Sequence, residues 1–383
     1  MMLALGLFLG ILAFGYLLTA YLAVQRARND KVPQPPQRLA PVTVLKPLCG
    51  AEPGLEQALE SLCGQCDSSV QIVFGVQDPA DPALPIARAL AARYPALDIA
   101  IVVDSSRHGH SAKVSNLINM MRAARHEYLV LADSDVHVPA GYLAGVCGPL
   151  ADPTVGIVTC LYRGRPGRSS GAAGVCSELA ALFVNDWFMP SVRVASWLGS
   201  RAFAFGATIA LRRAVLKDIG GFAAIADQLA DDYRLGELTR RRGLRTVLSS
   251  VVVETTLDEP GWRALMQHET RWLRTIRAVR PAGYATLWVT FSLPVAVLGY
   301  ALAGGGPAAL AILIATATAR VMLHFAAGAP GPGRIESWRR LWLLPVSDVL
   351  GFALWCWGFA TREVQWRHAR YRVARDGSAR PVT

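Results

Sequence analysis

The sequence predicts an α/β domain with a mainly parallel sheet, carried between membrane segments at its N- and C-terminal ends. Three observations carry that prediction. From Val42 onward, short apolar runs alternate with helical stretches, the pattern of βαβ units. An uncharged apolar run, Met2 to Val24, precedes this region, and three further apolar segments follow it. Aspartates gather where the apolar runs stop, at the edge where α/β sheets hold their ligands.

Composition supports the membrane part. Hydrophobic residues make up 52% of the 383-residue chain, and the mean hydropathy is +0.31, both high for a wholly soluble protein. The formal charge of +11 suits a nucleic acid or an anionic membrane surface. Arg26, Arg28 and Lys31 follow directly on the first apolar run and no nucleic-acid motif is present, so a lipid bilayer is the expected partner and nucleic acid is not. The seven cysteines are an odd number scattered through apolar sequence, the usage of a reducing compartment. Cys63-Gly64-Gln65-Cys66 has redox spacing but closes a helical stretch instead of opening one, so the pair reads as core thiols.

Residues 1–24 are long enough to cross a bilayer, and their flanking charges come after the run, which favours an uncleaved anchor with a cytoplasmic downstream chain. Residues 25–41 read as a linker, with four prolines between Pro33 and Pro41. The α/β domain is expected over 42–258. Its strands fall at Val42 to Leu45, Val70 to Val76, Ile99 to Val103 and Tyr128 to Ala132, with helices between them. A second group follows: a strand at Val155 to Leu161, a polar loop from Arg163 to Ser170, a long helix through Trp187, a strand at Phe203 to Leu211 and a helix from Ala226 to Arg241. Residues 259–280 form a basic amphipathic helix suited to a membrane interface. Segments Tyr284 to Ala303, Ala308 to Ala327 and Leu341 to Ala360 fill 281–361, and 362–383 is a basic tail. Three full crossings would leave that tail outside, against the positive-inside rule, so the last segment, interrupted by Pro345 and Asp348, is expected to be re-entrant or interfacial.

The chemistry centres on Leu129-Val130-Leu131-Ala132-Asp133-Ser134-Asp135, a buried-strand pattern ending on two carboxylates. Carboxylates that close repel unless a cation lies between them, and oxygen-only ligands favour Mg²⁺ or Mn²⁺. Asp78 ends the second strand, Asp231 and Asp232 open a helix, and His268-Glu269-Thr270-Arg271-Trp272 precedes the apolar segments.

This set, in this order, resembles the membrane glycosyltransferases of family 2 and especially family 21, the ceramide glucosyltransferase-like enzymes. The three acidic positions fall on Asp78, Asp133 and Asp232, and the (Q/R)xxRW element on Arg271-Trp272. Gly109 to Leu117, with Lys113 and Asn116, resembles the family's Gly-x-Asn-x-Lys-x-x-Asn-Leu, and Ala230 to Tyr233 its Glu-Asp-Tyr. Cys160 to Gly164, Asn185 to Trp187 and Phe205 to Thr208 look most like the branch that transfers N-acetylglucosamine to bacteriohopanetetrol, with the ceramide branch as its rival. His268, Ser111 and Asp231 depart from the family's Gln or Arg, Asn and Glu.

The resemblance implies a glycosyltransferase A-type nucleotide-sugar-binding domain on the cytoplasmic face of a bacterial inner membrane. A UDP-sugar would be the donor and a membrane lipid the acceptor. It assigns Asp231 and Asp232 to catalysis, with Asp232 as the base of an inverting displacement. Asp78, Lys113, Asn116, Asp133, Asp135, Arg271 and Trp272 would bind the donor, and Asp133 and Asp135 would hold Mg²⁺ or Mn²⁺. Asp186 and Trp187 are candidates for the acceptor. A processive polysaccharide synthase would need more crossings, and an inert membrane scaffold has no use for so complete a carboxylate set.

Overall fold

The computed structural model describes residues 1–29, 40–167, 169–328 and 338–360, and the backbone of three strands between Glu363 and Pro381. Residues 30–39, most of the expected linker, lie outside the described residues. The first helix, α1 (Met2–Asn29), runs past the expected boundary at Val24. No proline occurs before Pro33 to stop it, so Arg26 and Arg28 remain helical.

Eight strands form one sheet in the order β3-β2-β1-β4-β7-β6-β8-β5. β1 (Val42–Pro47), β2 (Val70–Val76), β3 (Asp98–Val103) and β4 (Tyr128–Ala132) are mutually parallel. They are joined by α2 (Leu55–Cys63), α3 (Ala83–Arg93) and α4 (Ala112–Met120), as the alternation predicts. Every residue of β2 is buried, which explains its unbroken apolar run. One apolar cluster packs Leu59, Leu62 and Leu90 on one face, and another packs Val114, Leu117 and Leu235 on the other.

The second half departs from the mainly parallel expectation. β5 (Val136–His137), β6 (Val155–Pro166), β7 (Thr208–Arg212) and β8 (Arg245–Leu257) make a mixed sheet. β7 is antiparallel to both β4 and β6, β8 is parallel to β6, and β5 is antiparallel to β8. β7 enters the sheet at the end where β4 leaves it. Arg163 to Pro166, expected in a loop, extend β6 because they pair with Glu254 to Leu257.

The remaining helices are α5 (Tyr142–Cys147), α6 (Gly171–Leu182), α7 (Met189–Trp197), α8 (Arg213–Asp218), α9 (Asp231–Arg241), α10 (Trp262–Val279), α11 (Pro281–Thr286), α12 (Ser292–Leu302), α13 (Pro307–Ala327) and α14 (Leu343–Trp357). Between α6 and α7 the segment Phe183–Phe188 is π-helical. Pro190 favours a widened turn here, because a proline ring in a regular α-helix collides with the carbonyl four residues earlier, that of Asp186.

Among the described residues, α1 and α13 are long and apolar enough to cross a membrane. The first C-terminal segment is broken, with Pro281–Thr290 and Ser292–Leu302 bent by 68°. The expected interruption was in the last segment. α14 there is a shorter helix of 15 residues, so the break and the shortfall lie in different segments. α1 and α13 end together, where Arg28 donates to the Gly328 carbonyl at 2.6 Å. α12 runs the other way, its Gly299 packed on Gly6 and Gly10 of α1, the close approach that small residues permit. Trp262, Trp338, Trp342 and Trp357 are exposed around α10 and α14, residues of the type enriched at membrane interfaces. In the expected tail, Glu363–Trp366, Ala369–Val373 and Ala379–Pro381 form an antiparallel three-stranded sheet.

Candidate active site

The site follows from strand pairing. Ala132 at the end of β4 faces Thr208 at the start of β7, so residues just after β4 lie beside those just before β7. That brings Gly206 against Asp133. A Cβ built on Gly206 would stand 3.3 Å from Lys113 Nζ, 3.4 Å from Asp232 Oδ2 and 3.5 Å from Asp133 Oδ2. Three charged side chains thus converge on Gly206, where a side chain would be held in tight contact with them.

Each arrives from its own element. Lys113 lies in the first turn of α4, capped by the Ser111 hydroxyl, which accepts from Val114 N at 3.3 Å, and it forms an ion pair with Asp133. Ser111, a departure from the family pattern, therefore still serves as a helix cap. Asp231 and Asp232 open α9, where a helix favours negative charge. Asp232 accepts from Gly206 N at 2.8 Å through one oxygen and from Tyr233 N at 2.6 Å through the other, and Asp231 accepts from Asp232 N at 3.0 Å. Lys113, Asp231 and Asp232 line a small, partly open cavity together with Leu117, Leu131 and Ile209.

Burial and the adjacent Asp231 carboxylate raise the Asp232 pKa to about 6, against the opposing pull of Lys113. Burial raises Asp231 in the same direction. The two titrate as a pair. Burial disfavours the charge on Lys113, but Asp133, Asp231 and Asp232 outweigh it and hold the ammonium protonated.

Asp135 points away from this cluster and accepts a hydrogen bond from Thr255 of β8, brought alongside by the β5–β8 pairing. Burial, then the neighbouring Asp133, raises its pKa. Beneath both aspartates lies Lys46, a residue to which the sequence alone assigns no role in the site. It is fully buried, and its ammonium donates to the carbonyls of Asp133 at 2.8 Å and Val136 at 3.2 Å, bracketing the turn. Burial lowers its pKa to about 8, while Asp135 and Asp133 oppose that shift. The signal is a lysine inside a buried strand whose other residues are uncharged.

Asp78 stands at the same sheet edge, after β2, with its carboxylate accepting from Ala80 N at 2.8 Å. It is not drawn into the Lys113 cluster. Asn116 is buried and donates to the Gly75 carbonyl of β2 at 2.8 Å, so its contact supports the strand that presents Asp78. Cys63 and Cys66 are free thiols whose pKa values burial pushes up to about 11 and about 12, as inert core thiols require.

α10 reaches the site through aromatic rings. Trp272 lies 5.3 Å from Phe188 and 6.2 Å from Tyr162, and Phe188 lies 5.1 Å from Phe205, the neighbour of Gly206. Arg271 is half-buried, and desolvation lowers its pKa. Glu269, also unrecognised from sequence, sits on the buried stripe of α10 between Leu265 and Leu273, and burial raises it to about 7. His268 pairs with Glu259 at 2.7 Å, a contact unlike that of the long Gln or Arg it replaces.

Asp186 and Trp187 differ from the acceptor expectation. Asp186 is 6% exposed and is held by Arg320 at 3.0 Å and His324 at 2.6 Å inside the helix bundle. Trp187 donates to Thr290 at 2.8 Å and stacks on Phe291 with ring centroids 5.4 Å apart. Both side chains are engaged within the protein and neither lines the Lys113 cavity.

A family model described as glycosyl transferase family 21 matches residues 6–379. Ceramide glucosyltransferase 1 of Caenorhabditis elegans is 23% identical over 245 residues, covering 64% of this chain and 51% of that protein. The ceramide glucosyltransferase of Candida albicans is 34% identical over 114 residues, 27% of this chain and 21% of its own length. The chain thus spans about half, or less, of the length of these curated relatives. A mannosyltransferase from Pyrobaculum calidifontis, solved with GDP-Man and Mn²⁺, is 21% identical with a TM-score of 0.54, covering 94% of this chain and 97% of that one. That likeness establishes the A-type fold. Because the family model runs from the first membrane helix through the carboxylate cluster and α10 to the C-terminal strands, the chain belongs to glycosyl transferase family 21.

Proposed function

We propose that the chain is an inverting transferase that moves one sugar from a UDP-sugar to the hydroxyl of a membrane lipid. One observation supports it above others: the Asp232 carboxylate is aimed by the Gly206 amide beside the Lys113–Asp133 pair. Direct displacement at an anomeric carbon needs a base on the face opposite the leaving group. Asp232 takes the acceptor hydroxyl proton as its oxygen attacks, the bond to the nucleoside diphosphate breaks, and the configuration inverts. Lys113 offers positive charge to the departing diphosphate, which lowers the barrier where negative charge develops. Asp78 offers an acceptor to the uracil or ribose. Arg271 offers a donor fork to phosphate and Trp272 a surface for sugar or lipid.

Asp133 and Asp135 suit a divalent ion. Among the described residues no group of three or more metal-ligating side chains converges. Mg²⁺ and Mn²⁺ in nucleotide sites take one or two carboxylates and complete their shell with phosphate and water. The raised Asp135 pKa is the condition a cation would relieve. When bound, the ion would supply Lewis-acid neutralisation of the diphosphate.

The relatives compared above carry the ceramide name, which favours glucose on ceramide over N-acetylglucosamine on bacteriohopanetetrol. The second reading rests on Cys160 to Gly164, Asn185 to Trp187 and Phe205 to Thr208. Membranes containing the protein, given labelled UDP-glucose or UDP-N-acetylglucosamine with ceramide or bacteriohopanetetrol, decide between them. Label in ceramide from UDP-glucose supports the first; label only in bacteriohopanetetrol replaces it with the second. Lipid label that persists in Asp232→Asn refutes the base assignment, and activity unchanged by EDTA refutes the metal. The re-entrant or interfacial course of the last apolar segment is tested by a reporter fused after Thr383: an extracytoplasmic readout refutes it.

A further inference from the structure

A second charged cluster lies outside the active site, where the end of α13 meets the catalytic domain. Arg320 of α13 donates to both oxygens of Asp348 in α14, at 3.0 to 3.2 Å, and through its remaining branch to Asp186 at 3.0 Å. His324, one turn further along α13, also meets Asp186, at 2.6 Å. All four residues are buried. Asp186 sits within the π-helical segment Phe183–Phe188. Such a turn holds one residue more than an α-turn and persists only where its surroundings over-determine it. Two residues along, Phe188 touches Phe205, Tyr162 and Trp272, with ring centroids 5.1 to 5.3 Å away. Phe205 precedes Gly206, whose amide aims Asp232.

We propose that Asp186 is a positioning residue: its bonds to Arg320 and His324 fix the π-helical register that presses Phe188 onto Phe205 and Trp272, and so orient Gly206 and Asp232. A slip of one residue in this segment would turn Phe188 by about 100°, away from both partners. The membrane helices thereby set the geometry of a base on the far side of the aromatic cluster. The catalytic consequence rests on the transferase reading given above; the mechanical linkage does not.

Hydrogen exchange followed by mass spectrometry on the full chain in detergent tests the linkage, comparing wild type with Asp186→Asn and Phe188→Ala. In Asp186→Asn, exchange is expected to quicken at least about tenfold in residues 183–190, 203–208 and 262–279, with β1 to β3 unchanged. Phe188→Ala, which leaves the charged residues in place, is expected to loosen 203–208 and 262–279 without loosening 307–327. Loosening confined to 183–190, 307–327 and 343–357 in Asp186→Asn would overturn the proposal. So would unchanged exchange at 203–208 in Phe188→Ala, which decides the matter if Asp186→Asn does not fold. In transfer assays with UDP-glucose and ceramide, both variants are expected to lower kcat about tenfold with the KM for UDP-glucose unchanged, and Phe188→Leu to restore most of kcat. A fall in kcat no larger than the loss of folded protein in the same sample would also overturn it. A wild-type protein that transfers neither glucose nor N-acetylglucosamine to ceramide or bacteriohopanetetrol removes the transferase reading and leaves the exchange result to decide the linkage.

Discussion

The two charged clusters use the same residue types to opposite ends. At the sheet edge, Asp133, Asp135, Asp231 and Asp232 face two lysines, Lys46 and Lys113, and burial shifts Asp135, Asp231 and Asp232 toward their protonated forms. In the helix bundle, Asp186 and Asp348 are bound by Arg320 and His324. The first cluster sets four carboxylates against two lysines, an excess that a divalent cation or a transferred proton can offset. The second closes on itself, as groups in an apolar bundle must. Charge alone therefore does not mark a catalytic site. What marks it is a set of partners left incomplete toward a cavity.

The sharpest way to break this contrast is to neutralise one residue in each cluster. Asp232→Asn removes the base while keeping the Gly206 and Tyr233 amides paired to an oxygen where they can be, so turnover of labelled UDP-sugar should fall by about a thousandfold with the melting temperature little changed. Arg320→Met should do the reverse in character: it leaves Asp186 and Asp348 buried without their cation, and denaturant unfolding in detergent should show a loss of about 3–5 kcal/mol. If Arg320→Met is silent in stability, the bundle cluster is not the closed unit described.

Lys46→Met tests the support beneath the turn. Removing a charged donor to the Asp133 and Val136 carbonyls should lower kcat/KM by about tenfold or more, with a higher requirement for added Mn²⁺, readable in a metal titration. Gly206→Ala places a methyl 3.3 to 3.5 Å from Lys113, Asp232 and Asp133 and should reduce kcat/KM by roughly tenfold, measured under the same conditions. The smallest effect is on pH. A raised pKa means that Asp232 binds its proton more tightly than an ordinary aspartate, so the base form is lost on acidification earlier than usual. The kcat/KM profile should fall as the pH drops through about 6, where an unperturbed aspartate would hold it to about 4. A flat profile between those values would remove Asp232 from the role of base.

Much was legible in the sequence. β2 and β4 fall where the apolar runs do, because a buried parallel strand writes itself as a continuous local pattern with an abrupt polar end. The same abruptness marks Asp78 and Asp133. The uncharged run of α1 is equally local, though its end was not, since a helix continues until something stops it. The tertiary structure alone decided the rest. Gly206 becomes part of the site because β7 pairs antiparallel with β4, Lys46 reaches Asp133 from 87 residues away, and Asp186 meets Arg320 across 134. A carboxylate's identity can be read from the chain, but its partners are chosen by sheet order and helix packing, and those partners decide whether its charge is spent on structure or kept for chemistry.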